Sequence, residues 1–495
     1  MKQSAHLRTL RNQTLIRPSI LCVLLLLSLV GSHADNIEHS STRNSQLSSA
    51  RPNVLIVIAD QWRASAFGFA GDPNVKTPSL DRLADMSVRF VNAVAGLPVC
   101  CPTRASIMTG QRPLTTGVFM NDVSLAPDAI GLAKAFHAAG YDTGYIGKWH
   151  LNGDGRSNFI PQERRQGFEY WKALECTHDY NHSFYYADAP EKLIWNGYDA
   201  IAQTQDAQQY LLNRAKSGKP FLLCLAWGPP HDPYQIAPER YRAMYDPAKI
   251  KVPPNVPAAG RGKAQRNMAG YYSHCAALDD CLGSLLATLK QTGLEQNTIL
   301  LFTADHGDLL GSHGAYNKQQ PYDESIRVPF ILHWPAGLGA KPRKLNPVIN
   351  SEDIMPTILG LCGVPIPKSV EGLDYSGFLR GGSDPSDGAT LISCVAPFGQ
   401  WTRKMGGREY RGIRTLRYTY VRDLRGPWLL FDNRKDPGQM KNLIGRSDSA
   451  TLQQRLDIIL KRKLSEAHDE FLPADNYIRK WGYTVKEDGT VPYDP

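Results

Sequence analysis

Arg51-Pro52-Asn53-Val54-Leu55-Ile56-Val57-Ile58-Ala59-Asp60-Gln61 is the stretch that decides the fold. Residues 54–59 form an unbroken apolar run, rich in β-branched side chains, that stops on a carboxylate. A strand with one wet face alternates apolar and polar residues, whereas an unbroken run marks a strand covered on both faces, as in a parallel sheet. The same texture recurs outward along the chain. DTGYIG (142–147) ends at Lys148, FLLCLAW (221–227) ends just before Pro229-Pro230-His231, TILLFTA (298–304) ends at Asp305, and VPFILHW (328–334) follows. Helical stretches lie between these runs. Thr77 and Pro78 read as an N-cap and first helical residue, residues 130–140 end on a glycine cap, and Ala269–Leu289 has apolar residues at helical spacing. The pattern predicts an α/β fold with a mainly parallel central sheet flanked by helices, over residues 51–379. From about residue 380 the texture alternates, as in GIRTLRYTYVRD and PWLLFDNRKDP, and an amphipathic helix follows at 452–471. Residues 380–495 therefore read as a smaller C-terminal α+β subdomain containing an antiparallel sheet.

Composition excludes several classes. With 495 residues, 42% hydrophobic and 21% charged, the chain is neither collagenous, disordered nor a coiled coil, and it can bury a large core. At the N-terminus a basic region up to Arg17 precedes the apolar stretch Ile20–Val30, and Ser32-His33-Ala34 supplies small residues for cleavage. That apolar stretch is too short for the ~18 residues of a membrane anchor. Residues 1–34 thus read as a signal peptide cleaved near Ala34, and the Ser-rich residues 35–50 as a polar linker. The mature protein is expected to be periplasmic or secreted, with no membrane segment after cleavage. Disulfides are permitted there, but the pairing of the eight remaining cysteines is not readable. Residues 1–34 hold Lys2, Arg8, Arg11, Arg17 and no acid, so the net charge of +9 falls to 52 basic against 47 acidic residues beyond them. Without a basic run, a zinc-finger spacing or an aromatic-plus-basic motif, nucleic acid is not an expected partner.

Ligands of open α/β sheets bind beyond the carboxyl ends of the strands. Asp60-Gln61, Lys148 with His150, His231, and Asp305-His306 all fall at or just past such ends. Any one of them could merely lead the chain out of the sheet. Together they suggest a metal and an anion sharing a pocket. The hard oxygens of Asp60, Gln61 and Asp305, with the His306 imidazole, suit Ca²⁺, Mg²⁺ or Mn²⁺ better than a thiol-rich zinc site. A second segment, Val99-Cys100-Cys101-Pro102-Thr103-Arg104-Ala105-Ser106-Ile107-Met108-Thr109-Gly110, reads as a short helix with Cys100 at its N-terminus. The free N–H groups and positive dipole end there favour an anion and lower a thiol pKa. On these grounds alone Cys100 is a reactive thiol or half of a disulfide.

Cys100, Pro102, Thr103, Arg104, Thr109 and Gly110 resemble the signature of the formylglycine-dependent sulfatase family, in the alkaline phosphatase superfamily. Residues 52–61, Gly147-Lys148-Trp149-His150, residues 229–233, residues 303–314 with Lys318, and two tail segments resemble further family motifs in the right order. The resemblance implies that a formylglycine-generating or anaerobic sulfatase-maturating enzyme converts Cys100 to formylglycine, whose hydrated aldehyde is the nucleophile. It implies that Asp60, Gln61, Asp305, His306 and residue 100 hold Ca²⁺, with Mn²⁺ or Mg²⁺ as alternatives. Asp305 would help deprotonate the attacking hydroxyl, and Arg104 would orient the hydrate. Lys148 and Lys318 would pair with sulfate oxygens, His231 would protonate the leaving alcohol, and His150 would take the second hydroxyl proton. The implied activity is hydrolysis of a sulfate ester, of a sulfated carbohydrate or small molecule, to alcohol and inorganic sulfate. Asp60-Gln61 and Asp305-His306 depart from the Asp-Asp and Asp-Asn of many sulfatases. They are similar to choline sulfatases and phosphonate monoester hydrolases, which keeps phosphonate or phosphate diester hydrolysis as the alternative. A glycan-binding protein with a decayed site is a third reading, against which the intact residue set argues. Asp308 and His313 read as braces of the loop after Asp305. His178, Asp179 and His182, in a polar aromatic insertion, and Arg63, just past the first metal pair, are candidates for substrate contact. Cys275 and Cys281 are poorly spaced to bridge each other.

Overall fold

Val54–Ala59 are fully buried, each with no exposed surface, at the middle of an eight-stranded sheet. The structure is a computed structural model describing residues 51–493, so the expected signal peptide and linker lie outside the described residues. In chain order the first strands are β1 (Asn53–Asp60), β2 (Val88–Val94), β3 (Asp142–Lys148) and β4 (Tyr170–Leu174). A two-stranded ladder, β5 (Phe184–Tyr185) and β6 (Leu193–Ile194), stands apart. Then come β7 (Phe221–Pro230), β8 (Thr298–Ala304), β9 (Phe330–His333) and β10 (Arg343–Asn350). The large sheet runs β10-β2-β9-β8-β1-β7-β3-β4. Only β9 is antiparallel to its neighbours; the other five pairings are parallel. The mainly parallel sheet expected from the unbroken runs is therefore present. The β9 run is equally unbroken, because burial on both faces, not strand direction, removes the polar residues.

The strands β8, β1, β7 and β3 are adjacent and parallel, so their carboxyl ends lie side by side. Helices pack against the sheet. The helix Arg261–Gln291 is longer than its apolar periodicity suggests and packs along the helix Asp199–Ser217. Before the helix Pro78–Ala84, Thr77 occupies the cap position but makes no side-chain cap bond. Asp279, reaching across from the long helix, instead accepts from the N–H groups of Ser79 and Leu80 at 2.9 and 2.7 Å. A carboxylate there also complements the positive end of the helix.

The C-terminal antiparallel sheet comprises β11 (Ala389–Cys394), β12 (Tyr410–Thr415), β13 (Tyr418–Asp423) and β14 (Gly426–Asp432), in that order. One face buries Ile413, Tyr420 and Leu430 against Leu456 and Leu460 of the helix Ala450–Glu466. The other buries Ile392, Tyr410, Val421 and Phe431 with Ile326 of the preceding segment. All eight cysteines among the described residues are unpaired. No helix among the described residues is long and apolar enough to cross a membrane.

Candidate active site

Each of the four adjacent strands ends by delivering a polar side chain to one place. Strand β1 ends at Asp60, where the pairing with β7 slips by a bulge. Gln61 then takes a left-handed conformation, φ 67°, which stops the strand. Its backbone N–H donates to Asp305 Oδ1 at 3.0 Å, tying the ends of β1 and β8 together. Strand β3 ends at Lys148, and β7 runs on through Pro229-Pro230 to present His231. The helix Cys100–Thr109 points its first residue at these ends, and Gly110 closes it in the left-handed conformation at φ 66°. An L-side chain there would be strained and would also meet Val370.

The floor of the site is a charge network with almost no exposed surface. Arg104 donates through Nη2 to Asp60 at 3.2 Å and through Nε to Asp305 at 3.0 Å. Lys148 Nζ donates to Asp60 at 2.6 Å. Burial and the charge at Cys100 push the Asp60 carboxyl up, but Lys148, His231 and Arg104 outweigh them and hold it below the usual range. Asp305 is pushed up, first by burial and then by the charge of Asp60. Asp60, Cys100, Asp305 and His306 each aim one ligand atom into a space where all four lie within 4.8 Å of one another. His306 Nε2 is 3.5 Å from Asp60, 3.6 Å from Asp305 and 3.3 Å from Cys100 Sγ. Gln61 donates its amide to Asp308 at 2.8 Å, leaving Oε1 to face Lys318 at 3.3 Å. This donor set fits a divalent cation. Two buried carboxylates crowd one point beside an imidazole and the side chain at position 100, and a +2 charge between them offsets the burial and mutual repulsion that raise Asp305.

Above this floor Lys318 Nζ lies 3.1 Å and Lys148 Nζ 3.7 Å from Cys100 Sγ. Burial raises the Cys100 thiol, yet Lys148, Lys318 and His306 draw it well below its ordinary value. Lys318 also donates to His231 Nε2 at 2.9 Å, while His231 Nδ1 faces the carbonyl of Asp232 at 2.9 Å. Burial and then Lys318 hold the His231 pKa down to about 3. His150 faces Asp122 through Nε2 at 3.0 Å. All ten residues anticipated from the sequence, Asp60, Gln61, Cys100, Arg104, Lys148, His150, His231, Asp305, His306 and Lys318, thus meet at one site.

A cavity of about 230 Å³ opens over Cys100, Lys148, His150, His231 and Lys318. Its outer walls come from residues that no local pattern singles out: Arg156 and Cys176 from loops, Phe398 and Gln400 after β11, and Thr490 and Tyr493 of the tail. A larger cavity of about 390 Å³ lies between Arg403 and Lys486 but contains none of this chemistry. His178 lines the active cavity and stacks on His231 with centroids 4.8 Å apart. Asp179 and His182 pair with each other on the surface. The expectation of a substrate contact at Arg63 is corrected. Its side chain is buried and donates through Nη2 to the Tyr272 hydroxyl at 3.4 Å, and it does not line the cavity. Asp308 accepts from the N–H groups of Leu310 and Asn317 at 3.1 Å, bracing the loop after Asp305.

Comparison with known proteins gives the same identity. The sulfatase family model matches residues 52–364, and the C-terminal model of N-sulphoglucosamine sulphohydrolase matches residues 311–468. The chain is 42% identical to the ulvan-active sulfatase of Formosa agariphila, over 97% of this chain and 93% of that protein. It is 28% identical to an endo-4-O-sulfatase of Bacteroides thetaiotaomicron, over 79% of this chain and 88% of that one. The solved yidJ protein of Bacteroides fragilis superposes with a TM-score of 0.78 at 30% identity, covering 86% of this chain and 98% of its own. With the family model spanning most of the chain and a relative at 42% identity along nearly all of it, this protein belongs to the sulfatase family.

Proposed function

We propose that this sulfatase is exported after cleavage of residues 1–34 and releases inorganic sulfate from a sulfated carbohydrate. Residues 51–379 would form the catalytic domain and residues 380–495 a subdomain that completes the rim. The observation that carries the reading is the trio of Lys148, Lys318 and His231 gathered around residue 100, above the cluster of Asp60, Asp305 and His306. Asp60, Gln61, Asp305 and His306 would hold the cation with residue 100. Ca²⁺ is the first candidate and Mn²⁺ or Mg²⁺ the alternatives. Bound there, the cation would neutralise a sulfate oxygen and polarise the S–O bond.

Residue 100, converted to formylglycine by a maturation enzyme, would supply a hydrated aldehyde with one hydroxyl to attack sulfur and a second whose loss of a proton expels sulfate. Lys148 and Lys318 would pair with the sulfate oxygens as point-charge donors. Arg104, fixed by two carboxylates, would hold Asp305 in place to accept the proton of the attacking hydroxyl. His231 takes a hydrogen bond from Lys318 at Nε2, so the Lys318–His231 pair would hold the proton passed to the leaving alcohol. His150 would receive the proton of the second hydroxyl.

Similarity to an ulvan-active sulfatase and to an endo-4-O-sulfatase supports a sulfated polysaccharide or its fragments as substrate. Sulfate release across a panel of sulfated saccharides, ulvan among them, tests this class. The Asp-Gln and Asp-His pairs keep one rival, a diester hydrolase. Turnover of an aryl sulfate should exceed that of an aryl phosphate diester, and the opposite ratio would replace the sulfatase reading with that rival.

A further inference from the structure

His150 is held from behind by a chain of contacts that ends on the C-terminal tail. It follows β3 in a left-handed conformation, φ 59°, and its partner Asp122 is also left-handed, φ 64°. Non-glycine residues are uncommon in that region and persist only where their surroundings over-determine them. Here the surroundings are specific. Asp122 Oδ1 is 3.0 Å from His150 Nε2. The same carboxylate receives both prongs of Arg156, Nε at 2.8 Å and Nη2 at 2.7 Å. The other side of that guanidinium is covered by the Tyr493 ring, whose centroid is 3.6 Å from Cζ. His150 Nδ1 is buried without a hydrogen-bond partner. All four residues line the cavity over Cys100.

The chemistry of this chain is directional. A carboxylate gripped by a guanidinium fork is ionised and accepts only, so His150 must carry its N–H on Nε2. Nδ1, buried without a hydrogen-bond partner, is then the nitrogen left to exchange a proton in the cavity that Cys100 lines. We propose that Asp122 and Arg156 are positioning residues that fix His150 in this orientation, and that Tyr493 latches them, making the tail part of the active site. This rests on the reading of His150 as the base acting at residue 100. Arg156 is suited to the task because its planar fork fixes both carboxylate oxygens, which a lysine cannot do. The aromatic face shields the guanidinium from water and strengthens its grip on Asp122.

A double-mutant cycle on the matured enzyme, with 4-nitrophenyl sulfate as probe, tests the proposal. His150→Ala should lower kcat by roughly 10²- to 10⁴-fold. Asp122→Ala and Asp122→Asn should each lower it by roughly 10- to 100-fold, with a much smaller change in KM. Added to His150→Ala, the Asp122 change should cost nothing further, within about two-fold, because its route to the reaction is already cut. Arg156→Lys should fall between wild type and Arg156→Ala, and Tyr493→Ala should lose about two- to five-fold. If His150→Ala is crippled but both Asp122 variants turn over like wild type, the positioning role fails and the base stands. If Asp122→Ala costs the same factor with and without His150, its role is general packing and the proposal is overturned. Full activity of His150→Ala would overturn the base and this inference together. The Asn variant keeps shape and an acceptor, so it covers the case in which Asp122→Ala does not fold.

Discussion

The two sheets use the same ion-pair chemistry to different ends. At the carboxyl edge of the large sheet Lys148 and, from the helix Cys100–Thr109, Arg104 meet Asp60 and Asp305 with at most 4% of any of these side chains exposed, beside strands buried on both faces. In the small sheet Arg422 meets Asp457 with 30% and 16% of the side chains exposed. Charges removed from water are worth most where their partners are fixed, and cost most when one partner is lost. Half-exposed pairs in contact with solvent contribute little. The difference teaches where this fold places reactivity. The cluster of candidate catalytic side chains sits at four adjacent strand ends, and the later part of the chain supplies walls, such as Phe398 and Tyr493, around it.

The comparison is tested hardest at Asp305. Asp305→Ala removes a ligand atom, one side of Arg104's bridge, and the N–H partner of Gln61. Bound cation measured by elemental analysis should be lost, and turnover should fall by about 10³-fold or more. Metal-stripped wild type should be equally inactive and should recover on adding cation back. Full activity without metal would remove the cation from the mechanism. The next largest effect concerns residue 100. Cys100→Ser should be nearly dead, because a serine could take sulfate but could not expel it. Cys101→Ala should retain turnover. Peptide mass spectrometry should show the conversion on Cys100, and finding it on Cys101 would reassign the nucleophile.

Most residues in these predictions are legible in the amino-acid sequence alone, for a physical reason. A strand that must be apolar on both faces announces itself, and the first polar residue after it marks the edge where ligands bind. Asp60, Lys148, His231 and Asp305 are legible in that way. Strand direction is not, since β9 is buried as completely as β8, to which it runs antiparallel. Nor are Asp122, Arg156 and Tyr493. Their roles come from contacts between segments up to several hundred residues apart, and no spacing rule links a loop aspartate to a tail tyrosine. Thr77 does stand at the expected N-cap position before Pro78, but the capping partner is not legible: a distant aspartate, Asp279, takes the N–H groups of Ser79 and Leu80.

A buried carboxyl without a cation sharpens the contrast within the part of the chain that holds the large sheet. Asp199 opens the helix Asp199–Ser217 with Oδ1 buried and unpartnered. Burial pushes its pKa up to about 8. The folded value lies above the unfolded ~3.9, so the native state holds the proton more tightly. Its contribution to stability is full below pH ~4 and is lost as pH rises toward 8, by up to about 1.4 kcal/mol per unit. Asp199→Asn removes that slope. Urea midpoints should therefore fall less for the variant than for wild type between pH 6 and pH 8. Parallel curves would mean that Asp199 is ionised in the folded protein.

The smallest effect is expected in the small sheet, at Arg422. Its Nη1 donates to Asp457 at 2.6 Å, but Asp457 also takes the Tyr420 hydroxyl at 2.9 Å and lies 3.0 Å from Lys461. Arg422→Ala therefore leaves the carboxylate partnered and in contact with water. The change should cost at most about 1 kcal/mol in urea unfolding, and kcat on an aryl sulfate should not move. Arg104→Ala, by contrast, removes a charged partner from two carboxylates with no access to water, leaving Asp60 to Lys148 and Asp305 to the Gln61 N–H, and should cost about 3–5 kcal/mol as well as activity. Equal losses at the two arginines would show that the small sheet carries buried charge energetics of its own. A fall in kcat for Arg422→Ala would show that its pairs reach the active site, and the division between reactive strand ends and supporting walls would no longer hold.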